Sequence, residues 1–263
     1  VSTESSPARI QHGALTGAAW TVTSVAVAMP VVFVANVLVA RWLGVVDFGQ
    51  LAYVTAVLAI VVQVTGAGTS SGIVRFGAAA AAQGDETVVD RLLGAGLTWR
   101  ILVQLPLSVA AALVVLGSVP AWVVGAVLVG TIVPAVFGGV GDALAIDHRT
   151  AVSARYAIVI NVAVQVSAVL AAWFVATPQG VWATRTAVGG ALVPLSFLAL
   201  SRARSRALLT PRSIRRVPAG FWRFSLLMGL AGVLGSLVYS RSEIVLLQWL
   251  GSPQALGVFA LAF

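Results

Sequence analysis

Long apolar runs alternate with short polar segments along the chain, at 14–40, 50–71, 101–117, 121–141, 157–176, 181–200 and 221–247, with an eighth opening near Ala255. A run of about 20 residues rising 1.5 Å each crosses a hydrocarbon core of about 30 Å, where every backbone N–H and C=O needs a partner within its own segment. The pattern predicts seven membrane-spanning helices and the start of another, the first and last tilted or protruding. Three connections on one side are short, at 41–49, 118–120 and 177–180, so nothing large projects there. On the other side, 74–91 sets Arg75, Asp85, Glu86, Asp90 and Arg91 around an alanine-rich stretch and reads as a helix lying at the membrane interface. Segment 201–220, broken by Pro211 and Pro218, is the longest polar stretch and reads as a hinge between two helix bundles.

Composition sharpens this picture. Of the 263 residues 59% are hydrophobic and only 9% charged, against about 25% charged in soluble domains, which excludes a soluble two-domain protein. All 16 basic residues are arginine, and they collect on alternate connections: Arg9; Arg75, Arg91 and Arg100; Arg149 and Arg155; then Arg202, Arg204, Arg206, Arg212, Arg215, Arg216 and Arg223. Arg41, Arg185 and Arg241 alone fall toward the other side. Short basic loops stay in the cytoplasm, so the chain is expected to be a multi-pass membrane protein with its N-terminus cytoplasmic. The formal charge of +8 then faces anionic membrane lipids and not nucleic acid. Zero cysteines removes disulfides, thiolate nucleophiles and Cys-ligated metals together. The apolar stretch after the polar tail 1–13 is too long for a secretory signal, and reads as an uncleaved first span.

A repeat is visible. Residues 36–44, Asn-Val-Leu-Val-Ala-Arg-Trp-Leu-Gly, match 243–251, Glu-Ile-Val-Leu-Leu-Gln-Trp-Leu-Gly, and each copy closes a span before a glycine, Gly49 or Gly257, that opens the next helix. Six helices separate the copies, and an even number means that both repeats enter the membrane in the same sense, as parallel lobes. The fold expected is all-α, a polytopic transmembrane helix bundle. Its parts are a tail at 1–13, a six-helix lobe at 14–200, a basic cytoplasmic linker at 201–220, and the start of a second parallel lobe at 221–263, cut off within a protein of about twelve spans.

Ala40-Arg41-Trp42-Leu43-Gly44 followed by Asp47-Phe48-Gly49 resembles the turn after the first helix of the Wzx-like oligosaccharide flippases, polysaccharide export proteins of the superfamily that includes MATE exporters. Gly72-Ile73-Val74-Arg75-Phe76, with Gly84-Asp85 behind it, is similar to the segment after that family's second helix, and 243–259 to its seventh-to-eighth turn. Glu243 stands where the family more often has aspartate, and Gln248 replaces an arginine. The resemblance implies a transporter, not an enzyme, that passes an isoprenoid-linked oligosaccharide from the cytoplasmic to the outer leaflet by alternating access of two lobes. Its partners would be the lipid-linked glycan, membrane lipids, a polysaccharide polymerase and glycosyltransferases, with no cofactor. The alternatives are a MATE-type small-molecule exporter, a polytopic glycosyltransferase or ligase of the same pathway, and a non-transporting scaffold.

Polar residues within spans point to such a cavity. Asn161 and Gln165, at i and i+4, share a helix face that forms a cavity wall or bonds a neighbouring helix. Gln63, with Gly66 and Ser70 behind it, marks a comparable face of the second span. Arg75 is the candidate cation for a pyrophosphate head group, or else an interfacial anchor. Arg41 either binds substrate or pairs with Asp47. Glu243 is the candidate carrier of a coupling proton or cation, or a solvated helix-end acid. Gly229, Gly232 and Gly235 allow close helix packing. No metal-ligand spacing and no phosphate-cradling glycine loop is present.

Overall fold

A computed structural model describes residues 7–237, 244, 246–247 and 253–262, with side chains from Thr16 onward. Among these residues the chain is helical, without strands. Helix α1 (Pro7–Leu43) turns at Gly44 into α2 (Val45–Gly66), and Gly44 takes φ 83°, a left-handed geometry that suits glycine. Next come α3 (Thr69–Ala82) and α4 (Glu86–Trp99), the latter capped by Asp85, whose side chain accepts the Val88 N–H. A π turn, Arg100–Gln104, carries α4 into α5 (Leu105–Leu116). The chain continues as α6 (Ala121–Phe137), α7 (Val140–Ile146), α8 (Thr150–Phe174) and α9 (Pro178–Leu192), which tightens into a 3₁₀ turn at Val193–Ala199. Helices α10 (Arg202–Leu209), α11 (Phe221–Ser236) and α12 (Pro253–Ala262) complete it.

Among the described residues, six helical stretches are long and apolar enough to cross a membrane: Thr16–Leu43, Val45–Gly66, Glu86–Leu116, Ala121–Ile146, Thr150–Phe174 and Pro178–Ala199. They coincide with the first six runs in order, but their ends differ. The third begins at Glu86, because α4 buries Val89, Leu92 and Leu93 behind a polar first turn, and hydropathy averages such a face away. The fourth continues past Gly141 to Ile146. Of the seventh run, α11 is described; Glu243, Arg241 and the second Trp-Leu-Gly lie outside the described residues.

Segment 74–91 is divided between two helices and packed against the bundle. Its first half completes α3, which packs on α4, α7 and α11 through Gly72, Ile73, Gly77 and Ala80. Small side chains let α3 approach so many neighbours, and Gly84 (φ 74°) makes the turn into α4.

Two large apolar cores form among the described residues, beside a small cluster of Ala56, Ile244 and Leu256. One gathers Val39, Phe48, Leu51, Leu116, Val123, Val127, Val181 and Trp182 toward the α1–α2, α5–α6 and α8–α9 turns. The other gathers Ile73, Leu92, Leu93, Leu144, Ile146, Leu208 and Phe221 toward the opposite ends. Large apolar side chains such as Val114, Phe174 and Leu198 are about four-fifths exposed, as lipid-facing residues are when no bilayer covers them.

Candidate functional site

Between the two cores, three spans leave the regular helical path at one level. The second breaks at Ala67 (φ 47°) and Gly68 (φ 64°). A side chain at Gly68 would run into the Ser225 carbonyl and the Gly229 backbone of α11, so glycine there serves close approach as well as conformation. The third widens into its π turn just before Pro106, which has no N–H for the Leu102 carbonyl. The fourth carries Pro134 and stops at Phe137, resuming as α7 after Gly138 and Gly139. Discontinuous helices are where membrane transporters place polar ligands, because the broken ends offer backbone groups that continuous helices do not.

These breaks surround a cavity of about 470 Å³. Its charged lining residues are Arg100 and Asp142, and each side chain is only 11% exposed. The Arg100 Nε donates to the Ala135 carbonyl (3.1 Å), a C=O left free at the end of α6. Arg100 Nη1 lies 3.8 Å from Asp142 Oδ2, while Nη2 is buried with no hydrogen-bond partner. The Ser70 hydroxyl donates to Asp142 Oδ1. Ser108, also on the lining, has a buried and unpartnered hydroxyl. Next to Arg100, Trp99 Nε1 donates to the Thr65 carbonyl (2.9 Å) at the end of α2. The result is a cation held in place by the backbone, with donor capacity left over, on the lining of a partly open cavity of mixed polar and apolar character.

The predicted residues divide around this cavity. Gln63, Gly66 and Ser70 line it together, and the Gln63 amide occupies space that Gly232 of α11 leaves open. Gly229 meets the Ala67–Gly68 break, whereas Gly235 has nothing within contact distance. Asn161 and Gln165 share one face of α8, and both have a buried side-chain oxygen without a hydrogen-bond partner. Gln165 lines a different, apolar groove with Pro30, Val34 and Leu38 of α1. Arg75 is exposed on α3, its guanidinium 4.3 Å from the centre of the Phe224 ring, and does not line the cavity. Arg41 is exposed at the end of α1, and the described ion pairs do not include one between Arg41 and Asp47. Glu243 lies outside the described residues. Among the described residues no group of three or more His, Asp or Glu is placed to hold a metal ion.

Arg100 and Asp142 escape a reading by apolar runs because each sits just beyond the edge of one. The available signal was Asp142 itself, a lone acid with apolar neighbours on both sides, Val140 before it and Ala143 to Ile146 after.

A second cluster ties the linker to the bundle. Arg204 of α10 donates from Nε to Asp147 (3.0 Å) and from Nη1 to Glu86 (2.7 Å), with Asp90 at 3.9 Å. Burial by itself would lower the Arg204 pKa, but the hydrogen bond and charge of Asp147 and the charge of Glu86 outweigh it and raise the group above its ordinary value. The Arg212 N–H reaches the Gly94 carbonyl (3.2 Å), and Thr98 Oγ1 donates to the Arg212 carbonyl (2.8 Å), so the linker runs along α4.

Comparison with curated proteins and with solved structures yields no match. The profile of a family described as polysaccharide biosynthesis protein matches residues 14–263, nearly the whole chain, across every span and break described above. With six long apolar helices and that match, the chain belongs to the polysaccharide biosynthesis protein family of Wzx-like, MATE-like membrane proteins.

Proposed function

We propose that the chain moves an isoprenoid-linked oligosaccharide from the cytoplasmic to the outer leaflet of a bacterial plasma membrane, with its N-terminus cytoplasmic, by alternating access. The observation that carries this reading is Arg100, a largely buried guanidinium on the lining of a cavity between spans. Such a group fits an anionic phosphate, and its charge-assisted hydrogen bonds are strong where water is excluded. Gln63, Gln104 and Thr131 on the same lining offer the hydrogen bonds that a hydroxylated or phosphorylated head group takes up. In this reading the lipid tail stays in the bilayer, and a polymerase and glycosyltransferases act before and after the transfer.

The test is Arg100→Gln at the chromosomal locus, with surface glycan and lipid-linked intermediates both measured. A transporter defect leaves the lipid-linked oligosaccharide fully assembled and accumulating while surface glycan falls. Sugar chains that stop short of full assembly would instead favour a glycosyltransferase of the same pathway. Normal levels of both would remove Arg100 from the function.

A further inference from the structure

Among the described residues, the cavity lining carries one cation and one anion. Arg100 and Asp142 are its charged lining residues, so an anion that approaches the Arg100 guanidinium from the cavity also approaches a carboxylate in a medium of low dielectric. One of the two must give way, and the geometry says which. Arg100 is fixed through Nε to the Ala135 carbonyl, whereas its contact with Asp142, at 3.8 Å, is too long for a hydrogen bond. Asp142 is held instead by the Ser70 hydroxyl. A hydroxyl rotates and accepts as readily as it donates, so Ser70 satisfies a protonated Asp142 as well as an ionised one. The other charged groups on the helices packed against α7 face elsewhere: Arg75 of α3 lies over Phe224, and Arg155 of α8 over Trp20. Asp147, just after α7, is engaged by Arg204, and Arg149 donates to the Ala199 carbonyl.

We propose that Asp142 yields Arg100 to the anionic group of the cargo by taking up a proton, so that cargo and proton occupy the cavity together. This rests on the cargo reading above. The step balances simply: the Asp142 carboxylate takes one proton from the water that admits the cargo, its carboxyl donates to Ser70, and the proton leaves when the anion does. Asp142 thereby makes anion binding a proton-linked event, and Ser70 is the positioning residue that keeps the carboxyl oriented in both states.

The experiment titrates the purified protein in lipid nanodiscs with a dimethyl pyrophosphate diester, whose acidic oxygens stay ionised throughout the neutral range and so contribute no protons of their own. Calorimetry in buffers of different ionisation enthalpy counts the protons exchanged. The wild-type protein is expected to take up about one proton per anion bound, and its affinity to fall about tenfold per pH unit on the alkaline side. Asp142→Asn is expected to bind the diester with no proton uptake and no pH dependence. Binding by the wild-type protein without proton uptake overturns the proposal and leaves the cargo reading intact, and this outcome needs no variant to fold. Uptake that persists in Asp142→Asn also overturns it. Absence of any binding to the wild-type protein sinks the cargo reading, and the proposal with it.

Discussion

Gly49 on α2 backs directly onto Gly257 on α12. A side chain at Gly49 would stand 3.0 Å from the Gly257 nitrogen, and one at Gly257 would strike the Val45 carbonyl. These two glycines are the ones that follow the two copies of the Trp-Leu-Gly segment in the sequence. Gly257→Leu is expected to push α12 off α2, at a cost of about 1–3 kcal/mol for overpacking. Thermal unfolding of the purified protein would show it as a lowered midpoint. Gly125→Leu, at a position with nothing within contact distance, is the control expected to leave the midpoint unchanged.

Arg100→Gln removes a hydrogen-bonding cation from the cavity and should weaken anion binding by about 1.5–3 kcal/mol, roughly tenfold to a hundredfold. Arg75→Ala gives up an exposed contact with the Phe224 ring, worth about 0.5–1 kcal/mol, and its effect on glycan export should be the smaller. Export measured for both variants at equal membrane abundance decides between them. An Arg75→Ala loss as deep as that of Arg100→Gln would return the capture of the head group to Arg75.

Much of this was legible in the chain. Apolar runs gave the first six spans in order, because a span is a one-dimensional signal of length and hydropathy. Gln63, Gly66 and Ser70 were visible as one face of the second span. Hidden were the pairings between distant segments. Nothing local in Ser70 says that it bonds Asp142, and Arg100 looks like a loop arginine until the helix from Glu86 to Leu116 is known to be continuous. Hidden too were the linker's contacts: Arg204 and Arg212 find partners on α4 that a hydropathy profile does not reveal.

Arg204→Ala should loosen that linker. Glu86 and Asp90 are well exposed and Asp147 partly so, so water screens the contacts and the loss is expected at about 1–2 kcal/mol, or roughly fivefold to thirtyfold in local opening. Trypsin cleavage at Arg212, Arg215 and Arg216 in detergent-solubilised protein reads this directly. Because the folded-state pKa of Arg204 is raised, its contribution is complete below the ordinary arginine value and fades only as pH rises past it, so cleavage should not accelerate between neutral and mildly alkaline buffer.

The chain has no cysteine, which makes orientation simple to test. Val45 and Thr210 are both exposed, at opposite ends of the spans. Single cysteines there, treated with a membrane-impermeant thiol reagent on intact cells, should label at position 45 and not at position 210. The reverse pattern would place the N-terminus outside.

Trp99 and Arg100 are consecutive residues, yet their side chains reach the freed carbonyls of two other broken spans, Thr65 at the end of α2 and Ala135 near the end of α6. A broken helix ordinarily bends where its carbonyls lose their partners. Here both are sutured to a single turn of a third helix, so none of the three can flex at this level without dragging the other two. The polar layer is thus a keystone, joining three spans side to side at the level where each of them is broken.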